Sequence, residues 1–299
     1  MALHGCIEAG GTKVLIGLAT DEGEFLATER IATTGPEETL GAATGWLEEA
    51  VRMHGRAHGP LSAIGIASFG PAGVDRRRGD WGFITSTPKP GWRDTDVAGP
   101  FARAFGVPVG FDTDVNGAAM AEHRWGAARG EAVAAYVTIG TGIGGGVVVE
   151  GRPLHGRNHP EVGHIAVRRA PADAGFAGIC PFHGDCLEGL ANGPAILARW
   201  GRPLSELPPD HPGHGLIAFY VAQLCIALEA TVSPGRTIIG GGVAQAPGLL
   251  DRVRAEAERL AAGYFPGFDP ARIVPPGLGE RSGLLGALAL ARQALGMDG

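Results

Sequence analysis

The chain has 299 residues, of which 44% are hydrophobic and 19% are charged, a composition that is typical of a globular protein and excludes a disordered one. A chain of this length forms one large or two medium-sized domains with real cores. The formal net charge of −6 argues against non-specific binding to nucleic acid or to a membrane surface. The length and composition therefore agree with a soluble, two-lobed enzyme.

The N-terminal segment from Cys6 to Ile31 predicts three strands. A glycine turn at Gly10-Gly11 separates the first two strands, and Glu22-Gly23 marks the turn to the third. Glycine-rich hairpins leave backbone N–H groups unobstructed, so this turn is a candidate phosphate-binding loop. Because the first strand begins close to Met1, we expect no secretion signal and a cytoplasmic protein.

The middle of the chain alternates between helical and strand patterns. Thr39 to His54 predicts a helix, and Leu61 to Pro71 predicts a strand that runs into a glycine-proline loop. Residues 107–126, VPVGFDTDVNGAAMAEHRWG, predict a strand, an acidic loop and a helix that starts near Ala118. This alternation indicates an α/β architecture.

The stretch YVTIGTGIGGGVVVEG, residues 136–151, contains a formal G-x-G-x-x-G match at Gly140, Gly142 and Gly145. A dinucleotide fingerprint requires a helix directly after the glycines, whereas here a β-branched run follows, which favours a strand. The segment therefore predicts a strand, a glycine turn and a strand, and it repeats the first hairpin about 130 residues later. Two such hairpins could hold a nucleotide triphosphate, and a pair of ordinary tight turns is the alternative.

The remaining apolar segments predict helices of the core. Leu216 to Val232 is interrupted by Gln223 and Glu229, so we interpret it as a buried helix and not as a membrane span. Gly240-Gly241-Gly242 separates a strand from a helix that starts near Pro247, and GLLGALALARQALG predicts a C-terminal helix. Hairpins among the strands make the sheets mixed.

His164, Cys180, His183 and Cys186 form an H-x15-C-x2-H-x2-C pattern. Two thiolates and two imidazoles suit tetrahedral Zn²⁺, and a site filled by four protein ligands is structural, because no position is open for a reacting water. A Cys180–Cys186 disulfide is the alternative, but it is disfavoured in a cytoplasmic chain. Three other histidines are not part of such a ligand pattern in the sequence and are expected to be solvated or locally hydrogen-bonded, namely His123, His155 and His159.

Five short motifs follow one another along the chain: Glu8-Ala-Gly-Gly-Thr-Lys13, Asp114-Val-Asn-Gly-Ala118, Gly140-Thr-Gly-Ile-Gly-Gly-Gly146, Glu161-Val-Gly-His164 and Ile239-Gly-Gly-Gly-Val243. In this order the chain resembles the ROK-family sugar kinases, and SFGP, TSTPKPGW, HPEVGH and CPFHGDCLEGLANGPA resemble the bacterial fructokinase branch. The resemblance covers essentially the whole chain. It implies an α/β actin/hexokinase-like (ribonuclease H-like) ATPase fold, with two lobes around a cleft and mixed sheets.

The resemblance also implies the lobe boundaries. We expect an N-terminal lobe over residues 1–121 and a C-terminal lobe with the zinc-binding loop over residues 122–285. The C-terminal helix, residues 286–299, is expected to pack back on the first lobe.

Phosphoryl transfer to a sugar requires a group that accepts the hydroxyl proton. Asp114 is the candidate, because it lies at a strand end before a helix and matches the family's general base. Asp112 is the competitor, two residues away on the same strand face. Either carboxylate could instead only cap the helix.

The resemblance assigns further residues to each substrate. The expected sugar-binding residues are Gly70, Pro71, Thr113, Glu161 and His164. The expected residues for ATP and Mg²⁺ are Glu8, Gly10, Gly11, Thr12, Lys13, Thr141, Gly142, Pro194, Gly240, Gly241 and Gly242. Three positions depart from the family pattern: Glu8 replaces Asp, Thr113 replaces the commoner Asn, and His183 replaces a Cys in the metal motif.

These features predict an ATP- and Mg²⁺-dependent hexose kinase that converts D-fructose to fructose 6-phosphate. A relaxed-specificity glucokinase or mannokinase is the nearest alternative. A sugar-responsive regulator of the same family would need an N-terminal helix-turn-helix, and only Met1 to Gly5 precede the first strand, so this alternative is not expected. The family implies a homodimer, and the sequence assigns no role to Thr87, Lys89 or Trp92.

Overall fold

The computed structural model describes residues 2–297, which pack as two compact units. The first unit comprises residues 2–124, 151–159 and 278–297, and the second comprises residues 125–150 and 160–277. The sequence-based lobe boundaries, after residues 121 and 285, stay a prediction. Met1, Asp298 and Gly299, at the ends of the predicted ranges, lie outside the described residues.

The first unit is built on a five-stranded sheet of order β3-β2-β1-β4-β7. Its strands are β1 (Leu3–Ala9), β2 (Lys13–Thr20), β3 (Phe25–Ala32), β4 (Leu61–Ser68) and β7 (Val109–Thr113), and a two-stranded sheet consists of β5 (Phe83–Ile84) and β6 (Thr95–Asp96). β1, β2 and β3 pair antiparallel, whereas β1, β4 and β7 pair parallel. The predicted mixed sheet and first glycine hairpin are therefore confirmed.

The parallel strands end together at one edge of this sheet. Ala9 of β1 pairs with Ser68 of β4, and Ser68 pairs with Thr113 of β7. The three segments that follow these strands therefore lie at the same edge, as the carboxyl ends of parallel strands do. They are the hairpin tip from Gly10, the loop Phe69–Pro71, and Asp114.

The first unit contains helices α1 (Pro36–His58), α2 (Ala98–Phe105) and α8 (Ser282–Ala294), while α3 (Asp114–Trp125) ends where the second unit begins. α1 starts with Pro36 and carries Glu37 and Glu38 in its first turn, both favourable at a helix N-terminus. It buries a stripe of small and aliphatic residues, Leu40, Ala43, Leu47 and Ala50.

The predicted start of α3 near Ala118 is wrong. β7 ends at Thr113 and α3 begins at Asp114, so the expected acidic loop does not form. The Thr113 hydroxyl accepts a hydrogen bond from the Asn116 N–H at 3.2 Å, which caps the helix four residues earlier than the sequence suggested.

α8 lies directly on the sheet and packs against β1, β4 and β7. It begins at Ser282, one residue before the predicted GLLGALALARQALG segment, which starts at Gly283, and it ends at Ala294. Two glycines allow this close approach: a Cβ on Gly65 of β4 would lie 1.7 Å from the Ala287 carbonyl oxygen, and one on Gly110 of β7 would lie 2.1 Å from that of Leu290.

The second unit repeats this design. Its sheet contains β9 (Ile143–Val149), β8 (Val133–Ile139), β11 (Arg236–Gly240) and β12 (Ile273–Val274) in that order, while β10 (Arg152–Pro153) belongs to the segment grouped with the first unit. β8 and β9 form an antiparallel hairpin, and β8, β11 and β12 pair parallel. The second hairpin is thus confirmed, and no helix follows its glycines directly, as the sequence predicted.

The helices of the second unit are α4 (Leu187–Ala191), α5 (Gly193–Trp200), α6 (Pro212–Val232) and α7 (Leu249–Ala261). α6 is long and apolar enough to cross a membrane by length and composition. It is instead a core helix, since Ile217, Tyr220 and Leu224 are buried in the hydrophobic core of the second unit. The predicted buried helix is confirmed.

The close seating of α8 predicts that Gly65→Ala destabilises the first unit. A methyl group would overlap the Ala287 carbonyl, and overpacking of this kind costs about 2 kcal/mol or more. Gly41→Ala is the matched control, because Gly41 lies on an exposed face of α1 with open space around it. That variant should gain about 0.5 to 1 kcal/mol from helix propensity. Urea unfolding of both variants measures the difference, and equal stabilities would contradict the packing described here.

Candidate active site

The tip of the first hairpin presents an open backbone. The Gly10 N–H donates to the Lys13 carbonyl at 2.9 Å and closes the turn, while Gly11 and Thr12 are exposed. No atom lies within 4 Å of the position that a Cβ would take on Gly11. A ligand can therefore approach this backbone from the Cβ side of Gly11 without meeting a side chain.

Glu8 is the second-to-last residue of β1, and its carboxylate is packed against the start of α8. A Cβ on Gly283 would lie 2.1 to 2.3 Å from the Glu8 carboxylate atoms, so the glycine provides the space that Glu8 occupies. Burial raises the pKa of the Glu8 carboxyl, and the charge of Lys13 opposes this shift. Its Oε2 atom is buried without a hydrogen-bond partner. An orphaned carboxylate oxygen beside a phosphate-type loop fits a ligand of Mg²⁺, directly or through water.

The two candidate bases, Asp112 and Asp114, have different surroundings. Asp112 is buried, and its Oδ1 accepts from the Thr113 N–H at 2.7 Å and from the Asn116 side chain at 2.6 Å. Its Oδ2 lies 2.9 Å from His155 Nε2. Asp114 is half-buried at the start of α3, and its Oδ1 accepts from the Val115 N–H at 2.9 Å. Asp112 is the more deeply buried of the two carboxylates, whereas Asp114 is partly exposed at the end of the strand, so Asp114 is the better candidate for a proton acceptor.

Two histidines anchor the loops around this edge. The Ala72 N–H donates to Nε2 of the buried His159 at 3.1 Å, which fixes the chain just after Gly70-Pro71, and His155 pairs with Asp112. The expectation that His155 and His159 are solvated or locally hydrogen-bonded is wrong, because their partners lie far away in the sequence. The Asp112 hydrogen bond, opposed by desolvation, raises the pKa of His155.

Thr113, expected to bind sugar, is buried with 3% of its surface exposed. Its hydroxyl serves as the cap of α3. The sugar-binding role of Thr113 stays a prediction, but the structure gives its hydroxyl a different partner.

In the second unit, the hairpin tip is tied to the start of α5. The Gly140 carbonyl accepts from the Gly193 N–H at 2.7 Å, and the Asn192 side chain donates to the Thr141 carbonyl at 2.9 Å. Asn192 also caps α5, because its Oδ1 accepts from the Ala195 N–H. Thr141 and Pro194, both assigned to ATP by the sequence, are thus brought together within this unit.

Gly240 ends β11, and Gly241 and Gly242 follow it, beside the same hairpin. Gly241 has φ +90°, and a Cβ there would lie 2.4 Å from the Ile139 carbonyl, so its glycine is required by the close approach to β8. Gly242 instead faces open space. Of the three glycines, Gly242 is therefore the one whose backbone a ligand can approach.

The four predicted metal ligands form one cluster. Their ligand atoms all lie within 4.8 Å of one another. His164 Nδ1 is 3.5 Å from Cys186 Sγ and 3.8 Å from Cys180 Sγ, and Cys180 Sγ is 3.7 Å from His183 Nδ1. These separations are those of donors around one tetrahedral ion with bonds of about 2.0 to 2.3 Å. Both cysteines are free thiols, so the alternative disulfide is not formed.

Glu188 is a site residue that the sequence reasoning missed. Its Oε1 lies 3.8 Å from His164 Nε2, and its Oε2 accepts from the Ile143 N–H at 2.8 Å. A Cβ on Gly142 would lie 2.7 Å from the same Oε2. Glu188 therefore links the metal cluster to the glycine hairpin. Its position two residues after Cys186 was the available signal, since carboxylates often orient metal-bound histidines.

Comparison with known proteins identifies the family. The ROK family model matches residues 4–294. A fructokinase from Zymomonas mobilis is 48% identical over 295 residues, which cover 98% of this chain and 97% of that protein. The crystal structure of a ROK hexokinase from Thermus thermophilus has a TM-score of 0.81 at 31% identity, covering 98% of this chain and 99% of that chain. A ROK glucokinase from Streptomyces griseus, solved with glucose and AMPPNP, has a TM-score of 0.73 at 27% identity, with coverages of 98% and 100%.

The chain belongs to the ROK family. Its mixed α/β sheets and the similarity to ROK hexokinases confirm the predicted actin/hexokinase-like fold class.

The Asp112–His155 pair predicts a pH-dependent contribution to stability. A raised histidine pKa means that the folded state binds the proton more tightly, so the contribution is complete below the unfolded pKa of about 6.5 and is lost as pH rises through the folded value. His155→Gln keeps a neutral donor and removes the charge. The free energy of unfolding of wild type should exceed that of this variant by on the order of 1 kcal/mol at pH 6, and the difference should narrow towards pH 9.

Thermal and urea unfolding across this pH range measure the difference. His54→Gln, which removes a titratable ring from α1, is the control and should show no such trend. A stability difference between wild type and His155→Gln that does not change with pH would contradict a charged Asp112–His155 pair.

Proposed function

We propose that this chain catalyses the ATP-dependent phosphorylation of a hexose, with D-fructose as the acceptor and fructose 6-phosphate as the product. The hexokinase-like fold and the family support ATP as the phosphoryl donor. The higher identity to the fructokinase than to the glucokinase supports fructose over glucose.

One observation carries this proposal. The open hairpin tip follows β1 and Asp114 follows β7, and these two strands end level with each other on either side of β4. Neighbouring strands lie about 4.8 Å apart, so the hairpin and Asp114 are separated by about 10 Å. This distance accommodates a terminal phosphate bound at the hairpin and a sugar hydroxyl bound at Asp114. In-line transfer needs this arrangement of donor, acceptor and base.

Asp114 is assigned the general-base role, which means that its carboxylate takes the proton of the attacking hydroxyl. Asp112 is a positioning group, because its contacts to Asn116 and His155 hold the junction between β7 and α3. The sugar is assigned to the loop at Gly70 and Pro71, together with Thr113, Glu161 and His164, as the family resemblance implies. Glu188, which contacts the hairpin and faces His164, is added to this set.

The nucleotide phosphates are assigned to the hairpins at Gly10 to Lys13 and at Thr141 and Gly142, where backbone N–H groups and one lysine are available. Pro194 and Gly240 to Gly242 are assigned to the nucleotide as well. Glu8 is assigned to Mg²⁺, since its buried Oε2 has no protein partner. When bound, Mg²⁺ would neutralise charge on the β- and γ-phosphates.

His164, Cys180, His183 and Cys186 are assigned to one structural Zn²⁺. The donor set and the separations of the ligand atoms support this ion over Mg²⁺, which prefers oxygen ligands. From the sequence alone, loss of the metal is expected to weaken sugar binding more than ATP binding, because the nucleotide hairpins lie elsewhere in the chain. Glu188 changes that expectation, since it connects His164 with the hairpin at Gly142 and Ile143.

Asp114→Asn is expected to lower kcat by at least about a hundredfold, because the variant keeps the shape of the side chain and loses the proton acceptor. The melting temperature and the fructose affinity should stay close to those of wild type. Activity is measured by a coupled assay for ADP over a panel of fructose, mannose and glucose.

The same panel tests the substrate assignment. Fructose should give the highest kcat/KM, and a preference for glucose or mannose would replace fructose as the acceptor. Asp112→Asn serves as the comparison variant, and its main effect should be lower stability, because it weakens the contact with His155. Near-normal turnover by Asp114→Asn would remove Asp114 from the base role.

The metal assignment predicts about one zinc per chain in purified protein, measured by elemental analysis. Cys186→Ser should lose the metal, lower the melting temperature and weaken both fructose and ATP binding. Cys225→Ala is the matched control, because Cys225 is a buried thiol of α6 outside the cluster. It should keep the metal, and a metal-free wild type with full affinity for both ligands would contradict the assignment.

A further inference from the structure

The chain contains two lysines, Lys13 and Lys89, and both lie beside the tip of the first hairpin. Lys13 is the first residue of β2 and follows the hairpin tip directly. Lys89 lies 76 residues further on, and its ammonium donates to the Gly11 carbonyl at 2.5 Å. Arginine supplies nearly all the other positive charge, so the protein's compact, point-like cations are concentrated at one loop.

The segment that carries Lys89 is held in place by the core. The Trp92 side chain is fully buried, meets the Phe69 ring edge-on at 5.3 Å, and donates its indole N–H to the Thr34 carbonyl at 2.8 Å. The N–H and hydroxyl of Thr85 both donate to the Pro71 carbonyl, and the Asp94 N–H returns to Thr85. The loop is therefore anchored at both ends.

Pro88 and Pro90 flank Lys89 and restrict the backbone on each side. The Lys89 N–H also donates to the Thr87 hydroxyl at 3.3 Å. Together these constraints hold the backbone that carries the long, flexible Lys89 side chain in a defined position beside the hairpin.

The ammonium group has capacity for a further ligand. An ammonium offers three donors, and the Gly11 carbonyl uses one of them. Within residues 2–297, Lys89 forms no ion pair, whereas the neighbouring Arg93 is 3.6 Å from Asp94. Gly11 and Thr12 beside it are exposed. The structure thus holds an uncompensated positive charge at the open end of the hairpin.

We propose that Lys89 binds the terminal phosphate of ATP and stabilises the charge on it during transfer. This inference rests on the proposed kinase function. The choice of the terminal phosphate follows from the strand register, because the hairpin and Asp114 lie at the same sheet edge with one strand between them. A phosphate beside the hairpin on that edge is the one nearest the base, and an ammonium there offsets the developing charge without moving.

The test compares Lys89→Met with Lys89→Arg and with Arg93→Met, which removes a cation from the same loop. Calorimetry measures binding of ADP and of the β,γ-imido analogue of ATP, both with Mg²⁺, and neither measurement needs a sugar. Lys89→Met should weaken binding of the triphosphate analogue about tenfold more than binding of ADP, since a charged hydrogen bond is lost only from the former. Its kcat should fall about a hundredfold.

Lys89→Arg should retain most of the preference for the triphosphate analogue, and Arg93→Met should match wild type. Equal weakening of both nucleotides by Lys89→Met would show that the lysine only supports the hairpin, and unchanged binding would remove it from the site. Either result overturns the proposal. A wild-type protein that phosphorylates no hexose would instead contradict the proposed function, and the ratio of the two affinities would still decide the role of Lys89.

Discussion

The parallel pairing of β1, β4 and β7 is the constraint on which the rest of the first unit depends. Because Ala9, Ser68 and Thr113 share one register, three functionally different segments emerge at one sheet edge. A shift of one residue would turn the side chains of a strand to the opposite face and separate Glu8 from the hairpin it serves. α8 fixes this register from one side by resting its backbone on Gly65 and Gly110.

The three carboxylates at this edge have different surroundings. Asp112 is buried, and its oxygens are satisfied by Asn116, Thr113 and His155, so it serves the structure. Asp114 begins a helix, where a carboxylate is favoured by the helix dipole and remains accessible. Glu8 keeps a buried oxygen without a partner, a cost that a bound cation would offset. Under the proposed function, this arrangement separates a structural carboxylate from two that would act on ligands.

In the second unit, the proposed metal site would serve a similar purpose. His164 belongs to a short 3-10 helix, and Cys186 directly precedes α4, so a shared ion would join these two elements. Glu188 extends this connection to the hairpin through the Ile143 N–H. One carboxylate would therefore transmit the effect of a bound ion to the hairpin within this unit.

The sequence predicted the elements whose signals are local. Glycine turns between β-branched runs gave both hairpins, and the spacing of His164, Cys180, His183 and Cys186 gave a cluster that the structure brings together. It failed where the deciding partner is distant. His155 and His159 have partners in β7 and just after Pro71, far away in the sequence. Lys89 lies in the TSTPKPGW motif, but the motif did not indicate its role, because its carbonyl partner lies in the first hairpin.

The central claim is that Asp114, and not Asp112, faces the acceptor hydroxyl beside the hairpin that binds the transferred phosphate. A crystal structure with fructose and the β,γ-imido analogue of ATP tests it directly. The account predicts the fructose 6-hydroxyl within about 3 Å of an Asp114 oxygen, with Asp112 still bonded to His155. A complex in which the hydroxyl contacts Asp112, or in which the terminal phosphate lies away from the Gly10-Gly11 hairpin, would contradict it.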